Sequence, residues 1–97
     1  MISTIKQNKD IMEKVYVVIE DWNMDGERGS DIWVYATKEK ALERMSTGIF
    51  RLKKDWEVDE NPEDWEVMTD SENLYSIYNP GKDYQYTIEC LTKDVEG

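Results

Sequence analysis

The run Lys14-Val15-Tyr16-Val17-Val18-Ile19-Glu20-Asp21-Trp22, answered after an acidic, glycine-bearing segment by Ile32-Trp33-Val34-Tyr35-Ala36-Thr37, decides the fold. Its core, Val15 to Ile19, is β-branched or aromatic throughout, the composition of a strand set centrally in a sheet or covered on both faces. We assign that strand to residues 14–22. The second run alternates Ile32, Val34 and Ala36 on one face with Trp33 and Tyr35 on the other, which makes it an antiparallel partner across the intervening loop. The pair is expected to form the middle of the sheet and to carry a helix, with the aromatic face of the second strand not fully covered.

A helix follows at once. Thr37 has the hydroxyl of an N-cap, and Glu39 places a negative charge in the first turn, where the helix dipole favours it. From Lys38 the apolar residues Leu42, Met45, Ile49, Leu52 and Trp56 recur every three or four positions, flanked by Ala41 and Phe50, so one stripe faces a sheet. Gly48 interrupts the stripe at a cost of about 1 kcal/mol relative to alanine and is a place for a bend or a break. Residues 57–72 (EVDENPEDWEVMTDSE) carry many acids and no base. Asn61-Pro62-Glu63-Asp64 reads as a helix start, and Trp65-Glu66-Val67 equally as the opening of a short strand; both readings stay open within a long acidic connection that is mostly irregular. Leu74 to Tyr78, the turn Asn79-Pro80-Gly81-Lys82, and Asp83 to Thr92 form a hairpin, with Pro-Gly suited to a type II turn or to a bulge that uses Gly81 at positive φ. In its last strand Tyr84, Tyr86, Ile88 and Cys90 make the apolar face. The expected architecture is α+β: an antiparallel sheet of about four strands, in the order ββαββ, with one long helix packed on one face.

Ninety-seven residues are enough for a single core without disulfides or a structural metal, so residues 14–97 read as one domain and residues 1–13 as a flexible N-terminal tail. Met12 stands just before the first strand and is a candidate start of a shorter product. With 22 acids against 12 bases the formal charge is -10. Long-range electrostatics therefore favour cationic partners and oppose direct nucleic-acid binding or approach to an anionic membrane. The absence of histidine removes the commonest general base and the commonest transition-metal ligand. No two of the carboxylates are marked out as a catalytic pair, which points away from an enzyme. The lone Cys90, on the buried side of its strand, reads as a structural thiol. Neither a signal peptide nor a membrane-spanning run is visible, and the cytoplasm is the expected compartment.

Asp21-Trp22-Asn23-Met24-Asp25-Gly26 reproduces the opening of an EF-hand loop, in which alternating oxygen ligands wrap a calcium ion; Asp21, Asn23 and Asp25 would be the ligands. The second half departs from the pattern: Ile32 stands where a bidentate glutamate is required, and strands flank the loop instead of helices. An acidic hairpin loop with Asx and Asp-Gly turns explains the same residues.

Charge is segregated along the chain. Residues 38–57 hold six bases and four acids, so the remainder sums to -12; residues 20–31 contribute five acids and one base, and residues 59–72 contribute seven acids and no base. A solvated, solubilising surface is the plain explanation. The functional one is that carboxylates imitate phosphates and occupy a basic nucleic-acid channel on another protein. The contact residues would be Asp59, Glu60, Glu63, Asp64, Glu66, Asp70 and Glu72, joined by Asp25 and Glu27 from the first loop. Trp65, with Trp22 and Trp33, would supply the aromatic anchors that interfaces favour, or would simply complete the core. Trp56, at the end of the helical stripe, belongs to the core. The tyrosines Tyr75, Tyr78, Tyr84 and Tyr86 invite comparison with base-stacking sheets, but the basic residues that such sheets need are missing.

The wording Lys14-Val15-Tyr16-Val17-Val18-Ile19-Glu20-Asp21-Trp22, then an acidic Gly loop, then Val34-Tyr35-Ala36-Thr37-Lys38-Glu39-Lys40-Ala41, resembles small acidic proteins encoded on phages and other mobile elements, anti-CRISPR proteins among them. The resemblance covers residues 12–56. It implies a non-enzymatic inhibitor, without cofactor, that binds a CRISPR effector nuclease by nucleic-acid mimicry, and it transfers no residue role. The alternatives are a structural or regulatory interaction module without mimicry, and a calcium-binding module that uses residues 21–31.

Overall fold

The computed structural model describes residues 14–94, so the expected tail, residues 1–13, and the alternative start at Met12 lie outside the described residues. Strand β1 (Lys14–Met24) and strand β2 (Glu27–Tyr35) are joined by only two residues. Asp25 (φ 54°) and Gly26 (φ 96°) both adopt the left-handed conformation of a type I′ turn, whose twist matches that of the flanking strands. The Asn23 side-chain oxygen accepts the Gly26 N–H at 2.9 Å and closes the turn. The acidic loop expected over 20–31 is therefore a ladder, with Glu20 opposite Asp31, Asp21 opposite Ser30 and Trp22 opposite Gly29. The Trp22 indole lies over Gly29, in the space that a side chain there would take.

Helix α1 (Lys38–Asp55) begins as its sequence predicts: Thr37 is extended and its hydroxyl accepts the Lys40 N–H at 3.3 Å. It is continuous through Gly48. The glycine serves close packing instead of a break, since a Cβ there would meet Tyr86 Oη at 2.8 Å, Ile88 Cδ1 at 2.9 Å and Glu20 Oε2 at 3.0 Å. The buried line is Ala41, Met45, Gly48 and Leu52, with Leu42 and Ile49 beside it, whereas Phe50 is 69% exposed. At the other end Trp56 caps the helix, Glu57 takes a left-handed φ of 52°, and the N–H groups of Glu57 and Val58 reach the carbonyls of Lys54 and Lys53 at 3.3 and 3.0 Å. This is a Schellman cap in which a glutamate occupies the position glycine prefers, and Val58 is buried behind it.

Asn61 to Asp64 forms only a single 3-10 turn (Pro62–Asp64) before strand β3 (Glu66–Ser71), so the acidic connection is more ordered than expected. Strand β4 (Leu74–Asn79) and strand β5 (Tyr84–Asp94) complete the sheet. Their connection is not a type II turn on Gly81. The left-handed residue is Asp83 (φ 59°), and the buried Asn79 side chain accepts the Lys82 N–H at 3.1 Å.

All pairings are antiparallel and the strand order is β2-β1-β5-β4-β3. The α+β class holds, with a fifth strand that the acidic connection supplies. The expectation that the first two strands occupy the middle is corrected: β5 is the central strand and β2 is an edge. The reason is that β5 enters last, between β1 and β4, where Tyr86, Ile88 and Cys90 align with Trp22, Glu20 and Val18 on one side and Ile88 and Tyr86 with Tyr75 and Ile77 on the other.

Helix α1 packs on that face, against β1, β5 and β2. Val18, Ile77 and Ile88 are fully buried beneath it. On β2 the aromatic face is partly covered, as expected, and it is the better covered of the two. Trp33 and Tyr35 point toward the helix and pack against the core, with the Arg44 guanidinium carbon 4.6 Å from the Trp33 ring centre; Ile32 and Val34, on the opposite face, are 64% and 61% exposed.

Candidate binding surfaces

The acidic residues of 59–72 gather at one edge of the sheet, because β3 is its outermost strand and the connection from α1 leads straight into it. Asp59, Glu60, Glu63, Asp64, Glu66, Asp70 and Glu72 are all exposed. Only Glu72 of this block has an ion-pair partner among the described residues, Lys38 Nζ at 3.2 Å. Its neighbours have no base to shorten their field.

A register shift between Val67 and Thr69 divides the block. Glu66 pairs with Tyr78, on the face away from the helix, whereas Asp70 pairs with Tyr75, on the helix face. Without the bulge, Glu66 and Asp70 would share a face, since side chains four residues apart in a strand point the same way. Asp70 and Asp59 both act on the Tyr75 hydroxyl. Burial first, then these two carboxylates, hold its pKa above the ordinary tyrosine value. Lys53 Nζ stands 5.8 Å from the Tyr75 ring centre and marks the basic boundary of the acidic edge.

Three sequence expectations about this surface change. Trp65 is a core residue: it is 9% exposed and stacks on Trp56 with ring centres 5.6 Å apart and planes 16° from parallel, so it is not a contact anchor. Trp22 and Trp33 also pack against the core. The apolar atoms actually presented within the acidic edge belong to Val67 and Met68, 56% and 61% exposed. Nothing in the local pattern distinguished them, since exposure here follows from β3 being outermost. Finally, Asp25 and Glu27 are exposed at the β1–β2 turn, on the far side of the sheet from β3, and do not join residues 59–72.

The calcium geometry is also replaced. Asp21 and Asn23 point to the face away from the helix, Asp25 lies in the two-residue turn, and the Asn23 oxygen already accepts the Gly26 N–H. A wrapping loop of twelve residues does not form where the strands pair residue by residue. Among the described residues there is no group of three or more carboxylates or cysteines placed to hold a metal ion.

A concavity of about 340 Å³ lies between α1 and the β1–β2 hairpin and is lined among others by Trp22, Trp33, Trp56, Arg44 and Arg51. Its floor holds the hydrogen bond from the Tyr86 hydroxyl to Glu20. Burial, then the Glu20 carboxylate, push the Tyr86 pKa far above its ordinary value. Tyr84 and Tyr86 face Trp56 in tilted and edge-on contacts, and thus serve the core instead of a stacking platform. Cys90 is buried and burial raises its thiol pKa, the setting of an inert structural cysteine. Among the described residues no helix is long and apolar enough to cross a membrane. Comparison with protein-family models, with curated proteins and with solved structures returned no match.

Proposed function

We propose that this chain is a non-enzymatic acidic binding protein that inhibits a basic nucleic-acid-handling partner, of the kind a CRISPR effector nuclease represents, by offering carboxylates where the partner expects phosphates. The observation that carries this reading is the run of exposed acids from Asp59 to Asp70, none ion-paired among the described residues, which leads into the outermost strand and ends on it, with Val67 and Met68 exposed between Glu66 and Asp70. The bulge turns Glu66 and Asp70 to opposite faces, so a groove that closes around the edge meets carboxylates from both sides.

The test is charge reversal of Asp59, Glu60, Glu63 and Asp64 to lysine, with circular dichroism to verify the fold and nuclease-interference assays against a panel of bacterial defence systems. Loss of interference by a folded variant is the expected result. Undiminished interference refutes mimicry. An interaction module without mimicry would instead give partner capture that is insensitive to salt.

A further inference from the structure

Among the described residues the sheet has a helix on one face only, and the face these residues leave uncovered divides into two halves. Register places Val15, Val17 and Ile19 of β1 on it, beside Val34 and Ile32 of β2 and Leu91 of β5, with Leu74 of β4 next to Glu89. The other half is polar: Asp21, Ser30, Thr87 and Ser76 form one row, in which the hydroxyls of Ser76 and Thr87 lie 3.1 Å apart. Antiparallel sheets that face water on one side normally alternate apolar-in with polar-out. Here β1 and β2 are apolar on both faces, and Ile32 and Val34 are 64% and 61% exposed.

We infer that this face is a self-association surface, occupied by the same face of a second copy of the chain packed sheet to sheet. Charge selects this occupant. In a chain of net charge -10, two copies repel wherever acids meet, yet the uncovered face carries Arg28 and Lys93 against Asp21, Glu66 and Glu89 and is close to neutral. It is the broad surface on which a second copy meets least repulsion. Area agrees: five strands about 4.8 Å apart and on average about 29 Å long present roughly 700 Å², close to the about 800 Å² that each partner contributes to a standard stable interface. The apolar half supplies the dry part of the contact and the hydroxyl row a wetter part. The helix side, with Asp59 and Asp70 at its border, stays outside the contact, and of the acidic block Glu66 is the acid whose register places it on the associating face.

The experiment is sedimentation velocity on the full chain, from low micromolar to submillimolar concentration, beside the variant Ile32→Lys/Val34→Lys. The wild-type chain is expected to approach twice its 11.5 kDa mass. The variant, altered only at exposed positions, is expected to stay monomeric with an unchanged far-ultraviolet circular dichroism spectrum. Should the double variant fail to fold, Ile32→Ser and Val34→Ser made separately are each expected to weaken dimerisation at least about tenfold, the scale of losing a buried aliphatic side chain. A wild-type chain that remains monomeric throughout overturns the inference, as does a folded variant that keeps the doubled mass. Hydrogen exchange separates the other occupant: a monomer whose uncovered face loses protection when residues 1–13 are deleted would place the chain's own N-terminal segment there.

Discussion

Replacing Gly48 with alanine sets two effects of known size against each other. Helix propensity alone favours the change by about 1 kcal/mol. The structure opposes it: the new methyl would stand 2.8 Å from Tyr86 Oη, 2.9 Å from Ile88 Cδ1 and 3.0 Å from Glu20 Oε2, all closer than ordinary van der Waals contact. Tyr86 and Ile88 are buried, and the Tyr86 hydroxyl is bonded to Glu20, so none of the three is a loose end that swings away freely. Overpacking of this kind costs about 1–3 kcal/mol, and disturbing a hydrogen bond to a carboxylate adds about 1.5–3 kcal/mol where it is broken. The expected net effect of Gly48→Ala is a loss of about 2 kcal/mol, which for a domain of this size lowers Tm by roughly 8–16 °C. Urea unfolding of the wild-type chain, Gly48→Ala, Tyr86→Phe and the double variant gives the full cycle. Because Tyr86→Phe removes the closest atom, the alanine penalty should shrink by at least about 0.5 kcal/mol in that background, a coupling of the size that touching residues show. A rise in Tm for Gly48→Ala, or the same penalty in both backgrounds, refutes the close-approach explanation of the glycine.

The Schellman cap provides a change of opposite sign. Glu57→Gly relieves a left-handed φ of 52° and should raise stability by about 1 kcal/mol, read as a higher Tm; no gain would mean that the cap tolerates its glutamate without strain. Tyr86 supplies a pH dependence. Its native pKa lies above the ordinary value near 10, so its stabilising contribution is complete below pH 10 and declines above it, as the unfolded chain releases a proton that the native state keeps. The advantage of wild type over Tyr86→Phe should therefore narrow by up to about 1.4 kcal/mol per pH unit above pH 10 in urea titrations; a constant difference would contradict the burial of that hydroxyl. Millimolar calcium should leave the Tm unchanged, because residues 21–31 are paired strand; clear stabilisation would mean that the hairpin opens to wrap the ion.

Elements set by local chemistry were legible in the sequence. Thr37 caps the helix whose start it predicts, the Leu74–Thr92 segment is a hairpin, and Val15 to Ile19 is a strand near the centre of a sheet, because capping, turn and strand preferences act over a few residues. The β1–β2 turn was legible in principle: Asp25-Gly26 is the composition of a two-residue type I′ turn, but its acidic neighbours and the EF-hand-like spacing spoke for a longer loop. The acidic edge was visible as seven acids without a base, and its strand as one of two open readings at Trp65-Glu66-Val67, since Glu66 to Ser71 gains its backbone partners from β4.

Tertiary structure alone decided the rest. Which face of Ile32-Trp33-Val34-Tyr35 is covered depends on where α1 lies, and the indole of Trp33 under Arg44 wins that place over the two aliphatic residues. Trp65 reads as exposed among its acidic neighbours and becomes buried because Trp56, nine residues earlier, arrives to stack on it. The position of β5 between β1 and β4 rests on pairings with residues up to 80 positions away, which no local window contains. Composition, periodicity and capping determined that this chain forms strands, a helix and an acidic segment. Long-range packing determined which residues face water, and therefore which can meet a partner.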